Sequence, residues 1–331
     1  MIEAFRYDAL TGRWVAVVPG RKAAFRGAPH PAELPRLRGR CPFCPSHEAD
    51  TEETVAALPA EGPWRVRVVH NLYPVVRPDA RAIEVPSSGD PPVTSVPARG
   101  RHEVLIEAPE HDLDLPDMPV AHLADVVRMY RDRVRALWEV EGVKTVTAFR
   151  NRGRRAGSSQ PHPHGQLTAI TLRAPDVAVR HAQAQRFAQK KGGSLLEAVL
   201  AEELAAGERI VEENEHFVVL CPLAPHRGDQ TWIVPRSPRG SLRDLPDALL
   251  APAAEVLRRT LRRVRTVTGG VAYNLVFRMP PADAPTDDAS FWYLDILPRR
   301  GGGAGFELGT GIQIVTVAPE ATAEALRATA P

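Results

Sequence analysis

Apolar residues recur along the chain with two spacings, and each spacing predicts a different kind of element. Alternating or continuous β-branched and aromatic residues predict strands at 13–18, 64–69, 103–107 and 145–149. In the run 119–142 the apolar residues stand three and four positions apart, which predicts one long amphipathic helix. The next segments are a predicted strand, LTAITL, and a predicted helical region from about 177 to 206 with a break near Gly192 and Gly193.

The second half of the chain repeats this order of elements. FVVLCPLA (217–224) and TWIVPR (231–236) predict strands, and ALLAPAAEVLRRTLRRVRTVTGG predicts a long helix that ends at two glycines. Three further strands are predicted at AYNLVFR, FWYLDILP and GIQIVTVAP. We therefore expect an α+β fold made of a duplicated unit with antiparallel sheets, divided into domains of 1–190 and 191–331.

Composition and charge narrow the class of protein. Of 331 residues, 44% are hydrophobic and 25% are charged, as in globular domains, and the formal net charge of +2 favours neither nucleic acid nor anionic membrane as a partner. The sequence shows no membrane span of about 20 apolar residues and no basic, then apolar leader, so we expect a cytoplasmic protein. Neither GxGxxG nor GxxxxGK[ST] occurs, which argues against Rossmann and P-loop nucleotide sites. The Gly-rich run 301–311 favours a flexible turn.

The segment QPHPHGQ, residues 160–166, carries the candidate chemistry. If the strand LTAITL extends backwards, His162, His164 and Gln166 lie on one face, because alternate strand residues point the same way. Pro163 cannot donate a ladder hydrogen bond, which places the segment at a sheet edge or a strand start. Such convergent polar groups favour a functional site over a solvated turn.

The cysteines predict a metal site. Cys41 and Cys44 form a C-x-x-C pair, while Cys221 stands alone. Zn²⁺ prefers thiolate and imidazole ligands, so the pair and one histidine of QPHPHGQ supply three of four ligands. The fourth is open among His70, His102, His111 and the nearby His47. Inert thiols or a redox pair without metal are the alternatives, although no thioredoxin-like context surrounds the pair.

A closed zinc shell leaves the other histidine of the motif free for catalysis. Neutral imidazole is a nucleophile towards phosphorus, and Gln166 on the same face is placed to hold a phosphoryl oxygen. Arg152, Arg154 and Arg155, just upstream, are candidates for screening phosphate charge.

The segment NRGRRAGSSQPHPHGQ resembles, without a gap, the active-site segment of the galactose-1-phosphate uridylyltransferase family, which belongs to the histidine-triad superfamily. Nearly the whole chain shares the resemblance: LTGRWVAVVPGR, CPFCPS, VVHNLYPVV, EAPEHDLDLPDM, FWYLDILP, GAGFELGTG and the long segment from QRFAQKK to VVLCPLAP are similar to family segments. It implies two histidine-triad-like domains in a homodimer with sites built across subunits.

Carried over by residue, the resemblance implies roles for particular side chains. It makes Cys41, Cys44, His111 and His162 the ligands of one structural zinc, which favours His111 as the fourth ligand. It makes His164 the nucleophile that carries the nucleotide and Gln166 the hydrogen-bond donor to the phosphoryl group. The implied nucleotide contacts are Asn71, Asn151, Gly157 and Ser159, and the implied sugar contacts are Phe306 and Glu307.

The implied reaction is a double displacement between a nucleotide sugar and a second acceptor, which is either a hexose 1-phosphate or inorganic phosphate. Arg278, Asp295 and Leu297 stand where some family members have a second, iron-type metal site, so we expect that site to be missing. NLYPVV and GFELGTG are closer to the branch with plant ADP-glucose phosphorylase, whereas HPHGQ is closer to the galactose enzymes. UDP-hexose chemistry is therefore the first expectation. The alternatives are another nucleotide sugar, a nucleotide hydrolase of the histidine-triad type, or a zinc-stabilised binding module.

Overall fold

The computed structural model describes residues 4–19, 40–81, 95–301 and 303–330. Its strands are β1 (Ala4–Asp8), β2 (Arg13–Val17), β3 (Thr54–Leu58), β4 (Val66–His70), β5 (Gly100–Ile106), β6 (Thr145–Arg152), β7 (His164–Ile170), β8 (Ile210–Glu213), β9 (Phe217–Leu220), β10 (Thr231–Pro235), β11 (Tyr273–Arg278), β12 (Tyr293–Pro298) and β13 (Gln313–Val315). Its α-helices are α1 (Val120–Trp138), α2 (Pro175–Lys191), α3 (Leu195–Ala206), α4 (Leu250–Thr268), α5 (Gly305–Thr310) and α6 (Pro319–Ala328).

Ten of these strands form one sheet in the order β3-β4-β5-β7-β6-β11-β12-β10-β9-β8. Every pairing within it is antiparallel, including that of β6 with β11, where Asn151 lies opposite Asn274. The sheets of the two sequence halves therefore meet edge to edge, and the α+β class is confirmed. The predicted division at 190/191 falls at the end of α2 and stays a prediction.

One face of the ten-stranded sheet is covered by long amphipathic helices. Helices α1 and α4 pack against each other and, with α6, enclose the largest buried apolar cluster of the described residues. Alternate strand residues such as Ala148, Leu167 and Leu275 point into this core, as strand periodicity requires. Both long helices were predicted from their three- and four-residue spacing.

The opposite face differs between its two halves. Over β9, β10 and β12 it is covered by α2 and α3, whose buried residues include Ala184, Leu196 and Leu200. A smaller sheet, β1-β2-β13, pairs strands from the two ends of the described chain, with β13 parallel to β2. Over β4, β5 and β7 a cavity lies against the sheet, and it holds the residues singled out by sequence.

Two local predictions need correction. The Gly-rich run does not form a turn throughout, because residues 305–310 are helix α5, which begins where Ala304 N–H donates to Glu307 at 3.0 Å and ends at Gly311 with φ of 72°. Strand β7 begins at His164 and does not extend back to His162, since Pro163 lacks the N–H that a ladder needs. No helix among the described ranges combines the length and apolarity that a membrane crossing requires.

Candidate active site and metal centre

The two cysteines of the C-x-x-C pair and two distant histidines meet at the end of β7. Their ligand atoms lie within 4.8 Å of one another. His162 Nδ1 is 3.7 Å from Sγ of both Cys41 and Cys44, and His111 Nδ1 is 3.3 Å from Cys44 Sγ. Zn–S bonds of about 2.3 Å and Zn–N bonds of about 2.0 Å at tetrahedral angles place sulfur and nitrogen roughly 3.5 Å apart. The donor set and its spacing therefore fit Zn²⁺.

The protonation state of His162 also suits a metal ligand. Its Nε2 lies 2.8 Å from the carbonyl oxygen of Ala108 and must donate a proton there, which leaves the Nδ1 lone pair facing the thiols. A second hydrogen bond of this kind is usual behind a metal-bound imidazole. Of the other histidines, His47 uses Nδ1 on the Cys41 carbonyl at 2.7 Å, and His102 lies elsewhere on the sheet.

His164 is the first residue of β7 and is buried, with 6% of its surface exposed. Its Nδ1 lies 2.8 Å from the backbone carbonyl of His162, so Nδ1 carries the proton and Nε2 keeps the lone pair. Burial lowers the pKa of His164 to about 4. Phe43, from the cysteine turn, packs against the imidazole with ring centroids 5.4 Å apart. The zinc turn thus helps to hold the candidate nucleophile.

Gly165 explains why a glycine separates His164 from Gln166. It points to the opposite face of the sheet, where a Cβ would lie 1.6 Å from the Tyr130 hydroxyl of α1. The requirement arises from close packing, since strand and helix approach too closely for any side chain.

Gln166 is oriented by His102, which sequence reasoning considered only as a zinc ligand. His102 Nδ1 accepts the Val75 N–H at 3.2 Å, so its Nε2 carries a proton and donates to Gln166 Oε1 at 2.8 Å. Burial lowers the pKa of His102, which favours this neutral form. The Gln166 amide nitrogen is therefore directed away from His102. Asn71 lies beside the same ring, with Nδ2 3.1 Å from His102 Nε2.

Several predicted residues line one cavity of about 380 Å³, which we call the His164 cavity. It is bounded by His164 and Gln166 together with Phe43, Asn71, Tyr73 and Ser159. A volume of this size is typical of small-molecule sites. The structure thus brings together the candidate nucleophile, the glutamine predicted to contact the phosphoryl group and two of the four predicted nucleotide contacts.

The remaining two nucleotide contacts lie on the other side of His164. Asn151 lines a smaller cavity of about 160 Å³ that also includes His164. Its Oδ1 accepts from Asn274 Nδ2 at 2.8 Å, which fixes the amide across the β6–β11 pairing. Gly157 has φ of 91°, a left-handed conformation that favours glycine, and faces the Asn151 side chain.

A buried ion-pair cluster beneath the site escaped sequence reasoning. Arg150 donates to Glu107 at 2.7 Å and to Asp114 at 2.8 Å, and Tyr130 donates to Glu107 at 3.1 Å. Burial alone would lower the pKa of Arg150, but the charge on Glu107 holds that pKa well above its usual value. Arg152 also pairs with Asp114. The sequence signal that could have revealed this cluster is the placement of Arg150 and Glu107 directly after apolar strand residues.

The predicted sugar contacts do not meet His164 within one chain. Phe306 and Glu307 lie on α5, Phe306 is 44% exposed, and neither residue lines the two cavities that contain His164. At the positions of the family's second metal site, Arg278 pairs with Asp295 at 2.9 Å, and Leu297 follows on β12. Arg154 and Arg155 form a short 3-10 turn and are exposed.

Comparison with known proteins places this site in a family. The profile of "Galactose-1-phosphate uridyl transferase, N-terminal domain" matches residues 1–172. ADP-glucose phosphorylase of Arabidopsis thaliana is 28% identical over 97% of this chain and 92% of its own length. Galactose-1-phosphate uridylyltransferase of Thermotoga maritima is 27% identical over 98% of both chains.

Solved structures agree over the whole chain. The crystal structure of the Arabidopsis thaliana ADP-glucose phosphorylase with bound ADP-glucose superposes with a TM-score of 0.85 at 25% identity, covering 100% of this chain and 99% of the other. With a profile match over half of its length and full-length relatives of the same fold, this chain belongs to the galactose-1-phosphate uridylyltransferase family.

Proposed function

We propose that the chain is a hexose-1-phosphate nucleotidyltransferase, with UDP-glucose and galactose 1-phosphate as its first candidate substrates. The observation that carries the proposal is the buried imidazole of His164, whose Nε2 lone pair borders two cavities. Gln166 stands on the same strand face, with its amide donor group left free by His102. Nucleophile and phosphoryl-oxygen donor are therefore fixed side by side.

In the proposed first step, His164 Nε2 attacks the α-phosphorus of the nucleotide sugar. The bond from that phosphorus to the bridging oxygen breaks, and hexose 1-phosphate leaves with the bonding electrons. In the second step the phosphate oxygen of another hexose 1-phosphate attacks the same phosphorus and displaces Nε2. His162 O holds the Nδ1 proton throughout, so the imidazole stays oriented.

Gln166 is assigned the role of stabilising the negative charge that develops on the phosphoryl oxygens, by donating hydrogen bonds to them. Its amide N–H groups are pre-oriented because the Oε1 end accepts the His102 proton at 2.8 Å. Asn71, Asn151, Gly157 and Ser159 are assigned to the nucleotide. They lie in the two cavities that meet at His164 or, for Gly157, directly behind Asn151.

One Zn²⁺ is proposed at Cys41, Cys44, His111 and His162. When bound, the ion supplies a closed structural cross-link, since four protein ligands leave no position for substrate. Its effect on the reaction runs through His162, whose backbone carbonyl holds the His164 proton.

Phe306 and Glu307 are proposed to serve the active site of a second subunit in a homodimer. Their exposure on α5, together with the 82% exposure of Leu308 and the 84% exposure of Tyr73, supports a contact between copies. Analytical ultracentrifugation should find a dimer, and Leu308→Asp should shift it towards monomer. A monomer with full transferase activity contradicts this part of the proposal.

ADP-glucose phosphorylase activity is the second candidate, because the curated relative of that name covers 97% of this chain.

One trapping experiment tests both candidates. The chain is incubated with UDP-glucose or ADP-glucose labelled in the α-phosphate and then denatured. We expect acid-labile label on the protein from one donor, and no label on His164→Ala. Release of UMP or AMP without a sugar phosphate acceptor would instead identify a hydrolase. No label from either donor contradicts the covalent mechanism.

A further inference from the structure

A second cavity, of about 410 Å³, lies on the same sheet face over β6, β11 and β12. We call it the arginine cavity, because five arginines line it: Arg13, Arg180, Arg227, Arg278 and Arg299. It does not contain His164, although Asn151 borders both it and the smaller cavity beside His164. Its size falls within the range of small-molecule sites.

The three carboxylates that line the arginine cavity are already neutralised. Asp176 pairs with Arg13 at 2.8 Å and Asp295 pairs with Arg278 at 2.9 Å. Asp8 lies 2.7 Å from His226 Nε2 and also accepts from Thr11. Each of these carboxylates therefore already has a hydrogen-bonded or ion-pair partner in the cavity wall.

Three guanidinium groups in the arginine cavity are not held in such pairs. Among the described residues, Arg180, Arg227 and Arg299 make no ion pair, and Arg180 makes no hydrogen bond through its side chain. Arg180 is only 7% exposed, and the Arg299 Nε atom is buried without a partner in the described chain. Burial lowers the pKa of both Arg180 and Arg227. The charges of Asp176 and Asp295 near Arg180, and of Glu307 near Arg227, offset only part of this effect.

A buried cation without an ion pair, such as Arg180, is costly, so an occupant that compensates its charge is the physical expectation. Guanidinium groups match the geometry of phosphate oxygens and bind them bidentately. Three cations lining one cavity suit a doubly charged phosphate better than a carboxylate, which carries one charge. Thr147, Asn274 and Gln313 add neutral hydrogen-bonding groups to the same walls, which suits sugar hydroxyls.

We propose that the arginine cavity is a second ligand site, distinct from the His164 cavity, which binds the phosphate of a sugar monophosphate through Arg180, Arg227 and Arg299. The ion pair between Arg278 and Asp295 forms part of the wall of this site. The family resemblance would place a metal at these two positions. The inference does not depend on nucleotidyl transfer at His164.

Isothermal titration calorimetry of the full-length protein tests the site. The probes are glucose 1-phosphate, inorganic phosphate and uncharged glucose, and the proteins are wild type, Arg180→Gln, Arg299→Gln and His164→Ala. Arg236→Gln is the matched control, because that arginine is partly exposed, pairs with Glu213 and does not line the cavity. We expect a glucose 1-phosphate site in wild type, His164→Ala and Arg236→Gln that weakens about 10-fold or more in Arg180→Gln and Arg299→Gln, the loss of one charge-assisted hydrogen bond.

The probes identify the source of the phosphate. Tighter binding of glucose 1-phosphate than of inorganic phosphate supports the sugar phosphate, whereas binding of inorganic phosphate alone overturns that assignment. Equal binding of glucose and glucose 1-phosphate, or affinities that neither arginine variant changes, overturns the site itself. Since Arg299→Gln removes a different side chain, misfolding of the Arg180 variant does not prevent a decision.

Discussion

Two arginines on the central strands and α2 show how differently buried charge is used in the two halves of the molecule. Arg150, beneath the His164 strand, and Arg180, over the second half of the sheet, are 3% and 7% exposed. Arg150 is held by Glu107 and Asp114 within hydrogen-bond distance. Arg180 has no such partner among the described residues. The two arginines are therefore similarly buried but differ in whether a carboxylate lies within hydrogen-bond distance.

The pKa shifts of the two groups have opposite directions for this reason. Burial lowers the pKa of Arg180, whereas the neighbouring carboxylates overcome the same effect at Arg150 and raise its pKa. A paired buried arginine belongs to the scaffold under the strand of the candidate nucleophile, because its removal would leave buried carboxylates without a counter-charge. An unpaired one costs stability and is explained when a ligand supplies the missing charge.

The strongest test of this contrast is to remove the nucleophile, because chemistry should belong to the first half alone. We expect His164→Ala to lower kcat by on the order of 10⁴-fold, since no other group replaces a covalent nucleophile. Steady-state transfer from the preferred nucleotide sugar measures the loss. His216→Ala, at the distant β8–β9 end, should retain activity; substantial transfer by His164→Ala would place the nucleophile elsewhere.

Loss of zinc should be nearly as damaging, because the metal cluster holds His162 and, through its carbonyl, His164. Wild type should contain about one zinc per chain, and Cys41→Ser should weaken zinc binding roughly 100-fold or more. Metal analysis after dialysis against a chelator provides the measurement. Cys221→Ser is the matched control, since that thiol is buried in the core away from the cluster. Unchanged zinc content in Cys41→Ser would refute the ligand assignment.

The two arginines themselves give the next test. Arg150→Gln should lower the free energy of unfolding by about 3–5 kcal/mol, because it leaves Glu107 buried without its counter-charge. Arg180→Gln should leave stability unchanged or raise it, because it removes a buried charge that no ion pair holds among the described residues. Urea unfolding followed by circular dichroism compares the pair at neutral pH without phosphate. Equal destabilisation by both substitutions would contradict the claim that the paired and the unpaired arginine affect stability differently.

The smallest effect is expected at His102, which orients Gln166 without touching the proposed substrate. His102→Ala should lower kcat about 10-fold with little change in KM, the loss of one hydrogen bond to an oriented amide. His102→Gln keeps an N–H donor and should recover most of the activity. Zinc content must stay at the wild-type value in both variants; a fall would return His102 to the metal site.

Local sequence pattern predicted most helices and strands because their apolar periods are set by neighbouring residues. It missed β1, β3, β8 and α6, and it placed a flexible turn where α5 forms. The Cys-x-x-C pair and QPHPHGQ identified the chemistry, since ligand and nucleophile types stand within a few residues of each other. What the motif left open was which distant groups complete it.

The sequence by itself determined the class of fold, the family and the residues that carry the proposed reaction. Only the tertiary structure decided which distant residues meet. It brought His111 to the cysteine turn, used His102 on Gln166 and set Tyr130 against Gly165. It also left Arg180 buried with no ion-pair or hydrogen-bond partner for its side chain among the described residues. These contacts join residues tens of positions apart, and such pairings depend on how the sheet and helices pack, which no local period encodes.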